Sequence, residues 1–369
     1  MPSRADIEHL LRRTEYVARP ERVQRLLGLA TIEACVDDVL AVPEPPPPSV
    51  TFTETQNWQR GEELTHFWLD RMAHDSTRPI QEKMGFFWHG HFCSDLSKAG
   101  SAELMREQID LFRRNGLGNL RDLAIDMSTQ VAMLRYLDNN QNKQTSPNQN
   151  FARELMELFL LGVGNYTEAD VEAATAAWTG HTDRWDTDEY VWRSDWHDAS
   201  TKSFLGRTIN GPTRPALEHG EQTIEVILGN GTVPPGASIV ANRGRPTREV
   251  AAEFITKKLW AEFAGTPIPT SVLTAGRQAA VNGDFAIRPW VRALLVHPEF
   301  YTSAVRAGRV RTPVEFVVAC LVATGRRSRL ATPTWLMDGM GQRPLYPPNV
   351  SGWKHNGYWV NASAMAART

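Results

Sequence analysis

The sequence predicts a mainly α-helical protein, a multi-helix single globular domain with a small β-hairpin excursion near residues 183–208. Three observations predict it. Apolar residues recur at helical spacing through most of the 369 residues. Glycines and capping residues punctuate those runs. The period changes once, between Gly180 and Gly211, where "DEYVWRSDWHD" and "KSFLGRT" read as short strands.

In chain order, "IEHLLRR", "RVQRLLG" and "IEACVDDVLA" make an N-terminal helical cap over residues 1–42. The prolines of 43–50 force an extended connection, read as a linker. The main domain, 51–369, then carries predicted helices at about 58–73, 78–89, 101–115, 119–137, 150–161 and 167–179. Gly116 is placed to close one of them in the left-handed conformation. Thr167 and Asp170 form a capping box that opens another. After the β insertion at about 181–211, helices resume at about 215–228, 247–264, 269–281, 285–296 and 312–324. The tail "PLYPPNVSGWKHNGYWVN" is too rich in proline, glycine and aromatics to be regular, and is expected to pack back on the helical body.

Composition narrows the function. With 41% hydrophobic residues, 22% charged residues and a net charge of −2, the chain offers no basic surface for nucleic acid and no polybasic membrane patch. No run approaches the roughly 20 apolar residues of a membrane span. "MPSRADIEHLLRR" lacks the apolar core of a secretion signal, so a cytoplasmic location is expected. Cys35, Cys93 and Cys320 are scattered and suit a reduced compartment. There is no Walker loop, no G-x-S-x-G elbow, no H-E-x-x-H and no strand-borne G-x-G-x-x-G, which disfavours nucleotide chemistry and zincin proteolysis.

Two segments concentrate polar chemistry among apolar residues. "FARELMELFLLG" places Glu154 and Glu157 at i and i+3 on a helix expected to be buried nearly all round. Buried carboxylates are costly unless paired, bonded or bound to metal. The bland reading is that Arg153 or another basic residue neutralises them in a structural ion-pair network. "EKMGFFWHGHF" ends in His89 and His91, with Gly90 expected to break the helix between them. A lone histidine there is often a helix-dipole partner. An H-x-H pair can hold metal or supply an acid and a base. The two segments are expected to meet, with a histidine in contact with a glutamate beside a solvent-accessible cavity. A third locus, "SDWHDAST", carries His197 and Asp198, for which a surface turn is the competing reading. Asn150, beside Asn148, opens the Glu154 helix, and Asn148 suits its N-cap.

The blocks "RPIQEKMGFFWHGHF", "SPNQNFARELMELFLLGVGNYTEADVEAATAAWTG", "HDASTKSFLG" and "YPPNVSGW" resemble, in order and over nearly the whole chain, the bacterial family catalogued as domain of unknown function 1800. The resemblance implies no reaction. It implies relatives that are often longer and exported, and a family pattern with glutamate where Gln149 stands and tryptophan where His181 stands.

The residues leave three readings open. The first is a hydrolase acting on a glycan or related polar polymer. Glu154, Glu157, His89, His91 and Asp198 would be its acid–base groups, and Trp88, Trp178, Trp192, Trp196, His197, Trp353 and Asn150 its binding surface. Glycoside hydrolysis places two carboxyl groups on either side of the sugar, which neighbours on one helix do poorly. The second is an enzyme whose cofactor is a divalent metal ion held by His89, His91, Glu154 and Glu157. The third is a non-catalytic carbohydrate- or protein-binding assembly protein.

Overall fold

The computed structural model describes residues 1–41, 48–209, 214–229, 244–331 and 333–368. Within them are twenty α-helices and four short strands. The strands form two separate antiparallel hairpins. His181–Arg184 pairs with Glu189–Trp192, with His181 opposite Trp192, and Lys202–Phe204 pairs with Arg207–Ile209. The change of period near residue 181 therefore marks the β region. The excursion is two hairpins because a turn around His197 interrupts the pairing.

Helix Pro79–His91 lies at the centre. Proline at its first position has φ already set for a helix and needs no hydrogen bond there. Eleven of its thirteen residues are buried. Ile80, Met84 and Trp88 belong to the larger apolar core, together with Ile7, Leu10 and Val36 of the N-terminal helices Arg4–Thr14 and Ile32–Leu40. Phe86 belongs to a second core with Trp68, Met105, Val318 and Trp353. One helix thus joins two apolar cores, leaving little of its circumference for solvent.

Glu82 on this helix is fully buried and fully paired. Arg113 grips it with two nitrogens at 2.7 and 3.0 Å, and the Trp68 indole donates to it at 3.1 Å. Arg113 also donates to Asp110 and to the carbonyl of Pro48. Of the proline-rich linker, residues 43–47 lie outside the described residues.

Several boundaries differ from the sequence reading. The helix continues through Gly90 to His91, because glycine here serves close packing against Trp353 and does not end the helix. The span 119–137 is two helices, Leu120–Ser128 and Val131–Tyr136. Ser128 and Thr129 hydroxyls donate to the carbonyls of Ala124 and Asp126, competing with the helical ladder where it breaks. Gly116 has φ −63° and is not left-handed. It is small because a Cβ there would crowd the Phe112 carbonyl at 2.5 Å and Trp88 at 3.1 Å. The capping box of Thr167 and Asp170 forms as the spacing predicts.

The tail packs back as its aromatic content requires. Trp353 is buried and stacks on Phe86, with ring centres 5.3 Å apart and planes 15° from parallel. No helix of the described residues is long and apolar enough to cross a membrane.

Candidate functional site

The two polar segments do come together, but not through the expected side chains. Residues 89 and 91 lie far apart around the helix, so their rings enter different surroundings. His89 is fully buried among Trp68, Phe86 and Trp353. Its Nε2 accepts a bond from the Leu345 amide at 3.1 Å. That assigns the proton to Nδ1, which has no partner. Burial lowers its pKa to about 3, so it stays neutral.

His91 stacks on Phe87 and donates from Nε2 to the carbonyl of Phe159 at 2.9 Å. It meets the glutamate-bearing segment through main chain, and neither Glu154 nor Glu157 is its bonding partner. The expected histidine–glutamate contact is therefore replaced by a backbone one.

The segment carrying the glutamates is also less buried than its composition suggests. It starts as an α-helix, Asn150–Glu154, and widens into a π-helix, Leu155–Leu160, where Leu161 N–H bonds to Met156 O at 2.8 Å. Such widening turns successive side chains away from an α-helical register. Arg153, Glu154, Glu157 and Leu158 are left half-exposed. Arg153 forks onto Glu168 at 2.8 and 2.9 Å, so it acts on Glu154 and Glu157 through its charge and not through a direct bond. Glu157 accepts from the Tyr166 hydroxyl. Burial, then the neighbouring Glu157, raises the Glu154 carboxyl above its ordinary range. Among the described residues no group of three or more His, Cys, Asp or Glu side chains could hold a metal ion. His89, His91, Glu154 and Glu157 therefore do not form the metal site that their residue types suggested.

The tryptophans divide by burial. Trp88 donates to Gly116 O at 2.9 Å and Trp178 to Thr223 Oγ1 at 3.0 Å, and both are fully buried core residues that offer no stacking face. Trp192 is half-buried against His181 and His197. Trp196 lies under Lys143, 3.7 Å from the ring centre, with Arg193 also over it. His197 donates from Nδ1 to Thr179 O and accepts at Nε2 from His219 Nδ1 at 2.8 Å. Asp198 accepts from the Ser200 amide and hydroxyl, which is the turn that the bland reading expects. Burial alone would raise its carboxyl; the bonds from Ser200 and the charge of Lys202 outweigh it and lower the pKa. At position 181, His181 is buried between Trp178 and Trp192, and its Nδ1 shares a hydrogen bond with the Tyr190 hydroxyl at 2.9 Å. Asn150 is the first residue of its helix, and the N-cap position falls on Gln149 and not on Asn148, whose Oδ1 accepts from the Asn150 amide at 3.0 Å in a turn just ahead of the helix.

A cleft of about 440 Å³ opens beside His91 and Trp353. Helix Pro79–His91 supplies Lys83, Phe86 and Phe87. Helix Thr247–Phe263 supplies Phe254, Lys258 and Glu262, spaced four apart on one face. The tail supplies Trp353, Lys354 and His355. Its walls are therefore aromatic and its charged groups mostly cationic.

The two inner lysines of the cleft differ sharply. Lys83 bonds to Glu262 at 2.5 Å and also to Glu315, and Arg309 bridges the same two carboxylates at 3.2 and 2.6 Å. Burial opposes ionisation of Glu262, but Lys83 and Arg309 hold its pKa below the usual value. This buried square of two cations and two anions is balanced in charge.

Lys258 has no such partner. Its ammonium donates to the carbonyl of Leu158 at 2.8 Å and to His91 Nδ1 at 3.2 Å, both neutral acceptors. Burial pushes its pKa down to about 8. Burial and the nearby Lys258 charge keep His91 neutral. Cys93, beside the pair, is a thiol pushed up to about 12 by burial, and it donates to Gly90 O at 3.1 Å.

The sequence reading missed Lys258. The signal was present in "EFITKKLWAEF", a charged residue on the apolar face of a helix, the same feature that drew attention to Glu154.

The chain belongs to the family described as "Protein of unknown function (DUF1800)", whose model matches residues 9–369. No curated protein and no solved structure matches the chain.

Proposed function

We propose that the protein is an enzyme that performs acid–base chemistry on an organic anion with a planar or apolar body, bound in the cleft between Phe86, Phe254 and Trp353. The observation that carries this reading is Lys258, an inward-facing lysine bonded only to neutral acceptors. With a pKa of about 8 it holds a large neutral fraction near physiological pH, where an ordinary lysine has almost none. A general base tuned toward the working pH is what such burial achieves. The aromatic walls suit a flat ligand, and Lys354 suits its negative charge.

The test is a panel of aromatic and aliphatic carboxylates and their esters, assayed for binding by thermal shift and for turnover. Lys258→Met should reduce turnover about 100-fold or more. Lys257→Met, at a neighbouring residue paired with Glu253, should change it less than threefold. Equal effects of the two substitutions would remove the proposal.

A hydrolase acting on a glycan or other polar polymer is the second reading, favoured by one observation. Burial and the neighbouring Glu157 raise the Glu154 carboxyl, and Glu157 accepts from the Tyr166 hydroxyl, which places two carboxyls with different partners side by side. Glu154→Gln should then abolish hydrolysis of a responsive glycan and leave carboxylate binding in the cleft unchanged.

A further inference from the structure

We propose that Lys258 acts covalently, forming an imine with the carbonyl of an oxo acid or aldehyde acid that enters the cleft. The inference rests on the cleft reading above and narrows its substrate class to carbonyl-bearing anions.

The geometry around Nζ carries it. A neutral amine has two N–H bonds and one lone pair in tetrahedral directions. The carbonyl of Leu158 and His91 Nδ1 accept the two N–H bonds. His91 cannot turn to act as a donor there, because its own N–H is committed to Phe159 O. The lone pair is thereby held in the remaining direction, and Lys258 lines the cleft from which a ligand approaches. An amine whose protons are tied to fixed acceptors is a prepositioned nucleophile.

A lysine kept only for charge balance would resemble Lys83, which touches two carboxylates in the same cleft. Apolar neighbours Phe87 and Phe254 surround the cleft, and Phe254 lies under the Lys258 amine, 4.8 Å from the ring centre. The ring face by itself favours the ammonium, and burial of the amine outweighs it and shifts the balance toward the neutral, reactive form.

The step balances simply. The nitrogen lone pair forms the C–N bond while the C=O π pair moves onto oxygen, and one amine proton passes to that oxygen to give a carbinolamine. The nitrogen then expels the hydroxyl, which takes up a proton and leaves as water. Loss of the last N–H proton leaves the C=N bond, so amine plus carbonyl gives imine plus one water. No oxidant or reductant is required.

The experiment uses the full chain with 4-carboxybenzaldehyde as the carbonyl probe, cyanoborohydride to trap any imine, and peptide mass spectrometry to locate it. Terephthalate, which carries the same ring with a second carboxylate in place of the aldehyde, is titrated in parallel by calorimetry. The expected result is a reduced adduct at Lys258 at least tenfold above that at Lys257 or Lys354. Its rate should rise through a midpoint near pH 8. Lys258→Arg should lose the adduct and still bind terephthalate. Terephthalate binding without a Lys258 adduct, or an adduct spread evenly over the exposed lysines, overturns the imine and leaves the cleft reading standing. A Lys258 adduct with no measurable terephthalate binding supports the imine and overturns the anion preference. Absence of both overturns the two together.

Discussion

Gly352 lies so close to the carbonyl of Gly90 that a Cβ on it would stand 2.0 Å from that oxygen. Its φ of +74° also belongs to the region that favours glycine. The "HGH" of the central helix and the "SGW" of the tail are therefore two halves of one contact. That contact seats Trp353 against Phe86 and closes one wall of the cleft.

Gly352→Ala should accordingly destabilise the protein by about 3 kcal/mol, from the clash and the strained backbone together. The tail cannot keep its seat with an added methyl, so binding of aromatic carboxylates should weaken as well. Denaturant unfolding and calorimetry check the two effects. A variant with native stability would mean that the tail is held elsewhere.

Glu82 should prove structural. Glu82→Gln leaves Arg113 charged and buried with half its pairing gone, a loss of about 3–5 kcal/mol in stability. Ligand affinity in the cleft, measured where the variant is still folded, should stay within twofold. A selective loss of affinity at unchanged stability would assign Glu82 to the site instead.

Acid should weaken the fold before the carboxylates titrate. Burial holds His89 and His181 each at about 3 when folded, and the unfolded imidazole takes its proton near 6.5. Between those values the unfolded chain binds more protons than the folded one. Stability is therefore complete above pH 6.5 and falls as pH drops toward 3, by about 1.4 kcal/mol per pH unit for each histidine. Unfolding free energies at pH 7, 6, 5 and 4 test the slope. His89→Gln, whose amide oxygen can accept from Leu345, should make it shallower.

Turnover should depend on pH through Lys258. Its base form is the deprotonated one, so kcat/KM should climb as pH rises through about 8 and level off above. Removing the imidazole in His91→Phe takes away one acceptor and should displace that midpoint. A profile indifferent to His91 would detach the pair from the chemistry.

The helical class, the position of the β region and the packing of the tail were legible in the sequence, because each rests on local chemistry. Periodic apolar residues, the Thr167–Asp170 capping box and the density of glycine and proline act within a few residues of themselves. The chemistry-bearing segment "EKMGFFWHGHF" was legible too, since polar groups in an apolar run need an explanation wherever the chain places them. What each polar group touches was decided only by the tertiary structure. Glu154 and Glu157 looked buried because their helix is apolar on every face, yet the π-helical widening and the approach of neighbouring helices left them half-exposed. Lys258 looked ordinary, since a lysine in a helix is usually solvated. Only packing of Thr247–Phe263 against the central helix put its amine beside His91, reduced its exposure to water and left it bonded to neutral acceptors. Burial and pairing are properties of distant segments brought together, 167 residues apart here, so the local pattern marks Lys258 as a charge on an apolar face without fixing what it touches.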